Sequence, residues 1–228
     1  MSLAYGREFL SIPGPGVIPD AVLQAMHRPA TDIYEGGELE ETTWSLLRDL
    51  KPVARTEGEP FIYIANGHGA WEGALANTLS RGDRILVLES GRFAVGWGLM
   101  AQSMGIEMEI LHAPPRRAID LNAVEDRLRE DTGHSIKAIL CVQVDTASSL
   151  YNDIAALRQA IDAAGHPALF MVDVIASQGC MRYEMDEWGV DVTVGGSQKG
   201  LMCPPGLGFN WASERALEAH QTAGLRTQ

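Results

Sequence analysis

Short apolar runs alternate with segments of helical periodicity along most of the chain. Each run has the length of a buried strand, and most are rich in Val, Ile, Leu and Phe, which is typical of strands. The sequence predicts seven strands on this basis: Phe61–Ala65, Arg84–Leu88, Glu107–Leu111, Lys137–Gln143, Ala168–Asp173, Asp191–Gly195 and Leu207–Trp211.

Between these runs, apolar residues recur at the spacing of one helix face. Such segments begin at Phe93, at Leu121 after a candidate cap at Asp120, and at Ile154 after Asn152 and Asp153. Alternating strands and helices predict an α/β domain in three α/β/α layers, with a mostly parallel seven-stranded sheet. Ligands of such sheets bind beyond the carboxyl ends of the strands, so functional residues should directly follow strands.

The first fifty residues differ in pattern from the rest. Pro and Gly punctuate the segment Pro13–Pro19, which excludes a helix there, and Asp20–His27 and Glu38–Lys51 are predicted helices. We therefore expect an N-terminal arm with helices over residues 1–50 and a large sheet domain over residues 51–228.

Composition narrows the possible partners. Thirty acidic residues against eighteen basic ones give a net charge of −12, which argues against nucleic acid or an anionic membrane as a partner. No apolar stretch reaches membrane-spanning length, and no signal peptide is evident at the N-terminus. Three scattered cysteines support neither a disulfide framework nor a zinc site. The expectation is a soluble cytoplasmic protein.

A glycine-rich loop, Asn66–Gly73, follows the first predicted strand. Free backbone N–H groups and a helix N-terminus at one place favour binding of a phosphate group. The loop nearly matches the dinucleotide motif G-x-G-x-x-G, and Glu89 ends the next strand, so a nicotinamide-dependent oxidoreductase is an alternative. Glu72 occupies the third glycine position, which weakens that alternative.

Two further loops carry candidate chemistry. Asp173 ends an apolar strand, where it could pair with a protonated ring nitrogen, although such residues are often helix caps. Lys199 is one of only three lysines and follows a strand within the run Gly195–Gly200, where a desolvated amine could attack an aldehyde. A phosphate-binding loop, a strand-end Asp and a post-strand Lys together are the parts needed to hold pyridoxal 5′-phosphate.

These residues also resemble a known family. The stretches that carry the resemblance are Val172–Asp173, Asp186–Asp191, Gly196–Gly200 and Pro204–Leu207, with Pro13–Pro19 and Asn66–Trp71 at the expected places. Together they resemble the class V aminotransferases of fold type I, in particular the serine-, alanine- and aspartate–glyoxylate aminotransferases. The resemblance covers essentially the whole chain, and it implies that residues 51–228 form the large domain that binds pyridoxal phosphate.

The resemblance implies a role for each matching residue. Lys199 would be the catalytic lysine that bonds to the cofactor, and Asp173 would pair with its pyridine nitrogen. Gly14 would belong to the segment that closes over the substrate. The remaining matches imply cofactor contacts: Gly67, His68, Gly69 and Gln198 at the phosphate, Phe93 stacked on the ring, and Thr146 and Ser148 as hydroxyl donors.

The implied reaction is amino transfer from serine, alanine or aspartate to glyoxylate or another 2-oxo acid, in a homodimer. Phosphoserine aminotransferase and cysteine desulfurase are alternatives within the class. The sequence departs from the family pattern at Gln143 and Val144, where a His-Asn-like pair is usual. The chain is also shorter than the family, without the C-terminal small domain that carries the substrate-binding arginine, so a non-catalytic truncated fragment is a further alternative.

Overall fold

The predicted apolar runs form one seven-stranded sheet in the computed structural model, which describes residues 11–29, 32–33, 36–114 and 117–226. Two very short strands form a separate hairpin. The strands are β1 (Glu59–Ile64), β2 (Arg84–Glu89), β3 (Glu107–His112), β4 (Ile136–Val142), β5 (Val144–Asp145), β6 (Leu150–Tyr151), β7 (Leu169–Asp173), β8 (Val192–Gly196) and β9 (Leu207–Ala212).

Seven helices accompany the strands in the described part of the chain. They are α1 (Asp20–Met26), α2 (Glu38–Ala54), α3 (Gly67–Thr78), α4 (Arg92–Ser103), α5 (Leu121–Glu130), α6 (Ile154–Ala164) and α7 (Glu214–Thr222). Side chains of Asn66, Asp120, Asp153 and Ser213 cap the N-termini of α3, α5, α6 and α7. The caps at Asp120 and Asp153 confirm the helix starts predicted there.

The order of strands in the sheet is β1-β9-β8-β7-β4-β2-β3. All neighbouring pairs are parallel except those that involve β9, which runs antiparallel to both β1 and β8. Six of the seven strands therefore point the same way, and the loops after β1, β4, β7 and β8 leave from the same edge of the sheet.

Helices cover both faces of the sheet and give the three layers that the sequence predicts. Helices α2, α5 and α6 pack on one face around a core that includes Phe170 and Trp211. Helices α3, α4 and α7 pack on the other face around Trp71 and Trp97. Successive residues of β7 point into opposite cores, which explains why this strand is apolar throughout up to Asp173.

Of the two N-terminal helices, α2 is the one that places buried residues in the core of the sheet domain. Helix α1 buries no residue, whereas α2 places Leu50 and Ala54 in the core beneath the sheet. Helix α2 runs through residue 50 without a break. Its C-terminal end belongs to the same hydrophobic core as the strands of the sheet. The domain boundary after residue 50 remains a prediction.

The sequence pattern missed helix α7 and the β5–β6 hairpin. Helix α7 buries only Ala216 and contains one large apolar residue, Leu217, and each hairpin strand has just two residues. Among the described residues, no helix combines the length and apolarity needed to cross a membrane.

Candidate active site

The loops after β1, β4, β7 and β8 surround one cavity of about 190 Å³ at the carboxyl edge of the sheet. This is where the parallel strand order leads us to expect a ligand. Seven of the ten predicted site residues line the cavity: Gly67, His68, Phe93, Thr146, Asp173, Gln198 and Lys199. Residues 132 positions apart in sequence, Gly67 and Lys199, therefore meet in one site.

The glycine-rich loop brings the N-terminus of α3 to the cavity. Gly67 lies so close to the neighbouring wall that a Cβ there would come within 2.2 Å of Cδ1 of Ile175. The backbone N–H groups of His68 and Gly69 donate to Oδ1 of Asn66, at 3.0 and 3.3 Å. These two N–H groups are therefore engaged by the helix cap, which corrects the expectation that they are free, while the positive end of the helix still faces the cavity.

Asp173 lies on the cavity wall as the last residue of β7 and is 3% exposed. Its Oδ1 accepts from the backbone N–H of Ile175 and its Oδ2 from the indole Nε1–H of Trp71, both at 2.7 Å. Among the described residues, no cationic side chain forms an ion pair with it. Burial raises the pKa of Asp173 to about 7, against the opposing effect of the two N–H donors.

Trp71 is a site residue to which the sequence analysis gave no role. It lies within the glycine-rich segment, in the second turn of α3, is almost fully buried, and lines the cavity. The available signal was its place four residues after Gly67, one turn along the same helix, which brings its side chain towards the loop. The partner of its indole N–H is 102 residues away, and spacing along the sequence does not reveal such a contact.

Lys199 reaches the cavity from the loop after β8. Its Nζ donates to the backbone carbonyl of Pro13 at 3.1 Å, and the neighbouring Gln198 carbonyl accepts from the N–H of Gly16 at 2.9 Å. Gly14 lies directly against the lysine, since a Cβ there would come within 2.6 Å of its Cδ. The structure thus places Gly14 at the lysine side chain, beside the cavity.

Phe93 and Thr146 are held together by Asp145, which is completely buried. The carboxylate accepts from the backbone N–H groups of Phe93 at 2.9 Å, Ala94 at 3.1 Å and Ala147 at 3.0 Å. It therefore caps the first turn of α4 from a different part of the chain and fixes the turn that carries Thr146.

Ser148 does not line this cavity, so the structure does not bring it together with the other residues to which the resemblance gave a cofactor contact. Its hydroxyl donates to the carbonyl of Ser90 at 2.6 Å and lines a separate, more open depression. The hairpin turn directs Ser148 back towards the end of β2, so Thr146 alone of the two hydroxyl residues faces the cavity.

The departures from the family pattern have structural explanations here. Gln143 is fully buried, and its Oε1 accepts from the hydroxyl of Ser177 at 2.5 Å while its Nε2 donates to the carbonyl of Arg182 at 3.2 Å. It thereby braces the segment that follows Asp173. Val144 contributes apolar surface to the cavity wall.

The other two lysines lie elsewhere. Lys51 pairs with Glu59, and Lys137 donates to the carbonyl of His134 at 3.0 Å. Lys199 is thus the lysine that the fold brings to the carboxyl edge, beside a buried carboxylate and a helix N-terminus. The cavity is therefore lined by an amine, a buried carboxylate without an ion-pair partner among the described residues, and a helix N-terminus.

Comparison with known proteins identifies the family. Residues 62–225 match the family described as aminotransferase class-V. The serine–glyoxylate aminotransferase of Methylorubrum extorquens is 42% identical over 215 residues, which is 94% of this chain and 53% of that protein. The L-aspartate–glyoxylate aminotransferase of Paracoccus denitrificans is 40% identical over 215 residues, 94% of this chain and 54% of that protein.

A solved structure agrees with these matches. An aspartate aminotransferase from Thermus thermophilus superposes with a TM-score of 0.83 at 30% identity, over 93% of this chain and 59% of that one. The chain spans about half the length of the relatives that it matches. It belongs to the class-V aminotransferase family.

Proposed function

We propose that this chain binds pyridoxal 5′-phosphate at Lys199 and takes part in amino transfer from a small amino acid to a 2-oxo acid. One observation carries the proposal: Lys199, Asp173 and the N-terminus of α3 line the same cavity although they come from three separate parts of the chain. Serine, alanine or aspartate as donor and glyoxylate as acceptor are the proposed substrates, supported by the names of the relatives.

The residues present fit this cofactor. Asp173 is a buried carboxylate that lacks a cationic partner among the described residues, and a protonated pyridine nitrogen would supply one. Buried Oε1 of Gln198 has no hydrogen-bond partner in the described part of the chain, so this amide retains bonding capacity towards a ligand. Both groups line or border the same cavity.

Each side chain has a task in the proposed reaction. When bound, pyridoxal phosphate supplies an electron-withdrawing ring that weakens the Cα–H bond of the amino acid. Lys199 Nζ would be the base that takes the Cα proton, and Asp173 would hold a negative charge against the ring nitrogen. Phe93 offers an aromatic face, Thr146 a hydroxyl, and the start of α3 at Gly67 a positive helix end for the phosphate.

A homodimer in the cytoplasm belongs to the same proposal. Large apolar side chains are exposed on the N-terminal helices, including Leu23 and Met26 on α1 and Trp44 on α2, which is typical of a surface that another chain covers. All three cysteines are free, as is usual in a reducing compartment. Sedimentation at micromolar concentration should show two copies; a monomer would contradict this part.

Borohydride trapping tests the central claim. The purified chain is incubated with pyridoxal phosphate and reduced, and the modified peptide is identified by mass spectrometry. We expect the adduct on Lys199 and its loss in Lys199→Ala. Lys51→Ala and Lys137→Ala are matched controls that should keep it, because neither lysine lines the cavity. An adduct on Lys51 or Lys137, or none at all with tight binding of a nicotinamide nucleotide, would overturn the proposal.

A further inference from the structure

Trp71 connects Asp173 to the aromatic wall of the cavity. Its indole Nε1–H donates to Oδ2 of Asp173 at 2.7 Å, while the backbone N–H of Ile175 satisfies Oδ1 at the same distance. Each carboxylate oxygen therefore has one N–H donor. Two donors on different oxygens fix both the position and the plane of the carboxyl group.

The indole itself is firmly held. Its ring stacks on Trp97 with centroids 5.9 Å apart and 12° between the planes. The rings of His68 and Phe93 pack against it in T-shaped arrangements, with centroid distances of 4.6 and 6.3 Å. Trp71 is 2% exposed, so rotation of the side chain would disturb three packed neighbours as well as the bond to Asp173.

The charge state of Asp173 depends on this bond. Desolvation favours the protonated acid, and the N–H groups of Ile175 and Trp71 favour the carboxylate. The other titratable groups that act on it are Asp145, which opposes ionisation, and Lys199, which favours it; buried Cys141 also lies near. Ile175 is a backbone donor, so Trp71 is the side chain whose hydrogen bond selects the charged form.

We propose that Trp71 is a positioning residue, whose indole N–H favours the charged form of Asp173 and orients its carboxylate towards the cavity. The inference rests on the proposed function for its purpose, since the oriented charge would face the ring nitrogen of the bound cofactor. The contact itself is a property of the protein without any ligand and can be tested in that form.

The first experiment compares two tryptophan variants. Trp71→Phe removes the N–H and keeps an aromatic ring. Trp97→Phe is the matched control, because Trp97 is equally buried in the same stack, yet its Nε1 has no partner among the described residues. The side-chain carboxyl signals of ¹³C-labelled aspartate are followed from about pH 5 to about pH 9 in the cofactor-free chain, and the Asp173 signal is assigned by its absence in Asp173→Asn.

We expect Trp71→Phe to raise the pKa of Asp173 by about one to two units, the loss expected for one hydrogen bond to a charged group. Trp97→Phe should leave it unchanged. Equal shifts of the Asp173 pKa in both variants would overturn the proposal, because they would show a general effect of packing. No shift in either variant would also overturn it, because the indole hydrogen bond would then have no effect on Asp173.

A second measurement needs no tryptophan variant and covers the case in which Trp71→Phe fails to fold. In the ¹⁵N-labelled wild-type chain, one indole N–H signal should move with the titration of Asp173 and should lose that pH dependence in Asp173→Asn. An indole region that does not respond to pH would contradict the contact.

Cofactor trapping distinguishes failure of the proposed function from failure of this inference. If Lys199 is not trapped by borohydride while the indole signal titrates with Asp173, the proposed function fails and the pairing of Trp71 with Asp173 stands. If Lys199 is trapped, Trp71→Phe should also shift the pH dependence of the visible absorbance of the bound cofactor, and Trp97→Phe should not.

Discussion

Two buried aspartates lie at opposite ends of the neighbouring parallel strands β7 and β8 and have different partners. Asp173 ends β7 at the carboxyl edge, and Asp191 directly precedes β8 at the other edge; each is 3% exposed. Asp191 accepts from the backbone N–H of Phe170, from the hydroxyl of Ser213 and from the guanidinium of Arg215. Asp173 has two N–H donors and, among the described residues, no ion-pair partner.

Under the proposed function, the difference separates a structural carboxylate from one that pairs with a ligand. Burial raises the pKa of both groups, and at Asp191 the phenylalanine N–H and the arginine act against it. The protein has therefore completed the surroundings of Asp191 with its own residues. At Asp173, which opens onto a cavity beside Lys199, the missing partner is a cation, and this points to a bound molecule as its source.

The largest expected effect is on the reaction. Asp173→Asn should slow the amino-transfer half-reaction by about 10²–10³-fold, as when one group that stabilises a transition state is lost. Asp191→Asn is the matched control and should retain the rate, since it lies at the far edge. The decay of cofactor absorbance after serine is added measures the rate. Equal rates in the two variants would remove the functional distinction between these aspartates.

The next effect is on stability as a function of pH. In the cofactor-free chain, the unfolded state releases the Asp173 proton near 3.8, but the folded state keeps it until about pH 7. Because the folded state binds more protons in this interval, its stability falls as pH rises through it, by at most about 4 kcal/mol.

Asp173→Asn serves as the reference for this pH dependence. Urea unfolding of the wild-type chain and the variant at several pH values gives the difference between the two curves. That difference should change across the interval and be constant above about pH 7. A constant difference throughout would show that Asp173 ionises normally.

A smaller effect concerns the structural aspartate. Asp191→Ala should lower the free energy of unfolding by about 2–3 kcal/mol, because it leaves Phe170, Ser213 and Arg215 without their shared acceptor. Asp173→Asn should change it by only about 1 kcal/mol or less at pH 7, where loss of the buried charge offsets a lost acceptor. Urea unfolding of both variants measures the two losses of stability. A larger loss in Asp173→Asn than in Asp191→Ala would contradict the comparison.

The smallest expected effect is at an exposed ion pair, which serves as a reference for the two buried aspartates. Glu107 pairs with Arg84 across β2 and β3 with both side chains largely exposed. Glu107→Gln should change the free energy of unfolding by about 0.5 kcal/mol or less, as is usual for surface ion pairs. A loss as large as that from Asp191→Ala would show that burial is not what distinguishes these carboxylates.

The sequence predicted most of the sheet because its five central strands (β2, β4, β7, β8 and β9) are buried on both faces and form apolar runs. All seven strands, the more exposed edge strands β1 and β3 included, lie within two residues of their predicted bounds. The parallel order then predicted correctly where Lys199, Asp173 and Gly67 would meet. Helix α7 was not predicted because its nine residues contain only one large apolar side chain, Leu217, beside two alanines.

The details of the site depend on contacts that no local pattern contains. The direction of Ser148 is set by a bond to the carbonyl of Ser90, 58 residues away. The capping of α4 by Asp145 and the bond from Trp71 to Asp173 likewise join residues from different strands and helices. A spacing rule identifies which loops approach each other, but side-chain partners follow from packing.

The contact between the N-terminal segment and the lysine loop has a consequence during synthesis. Pro13 and Gly16 are made long before Lys199 and Gln198, the residues to which they bond. At roughly 5–20 residues per second, the ribosome needs on the order of 10–40 s to cover that interval. The two hydrogen bonds that hold this segment against the lysine loop therefore form only after translation has passed the β8 loop.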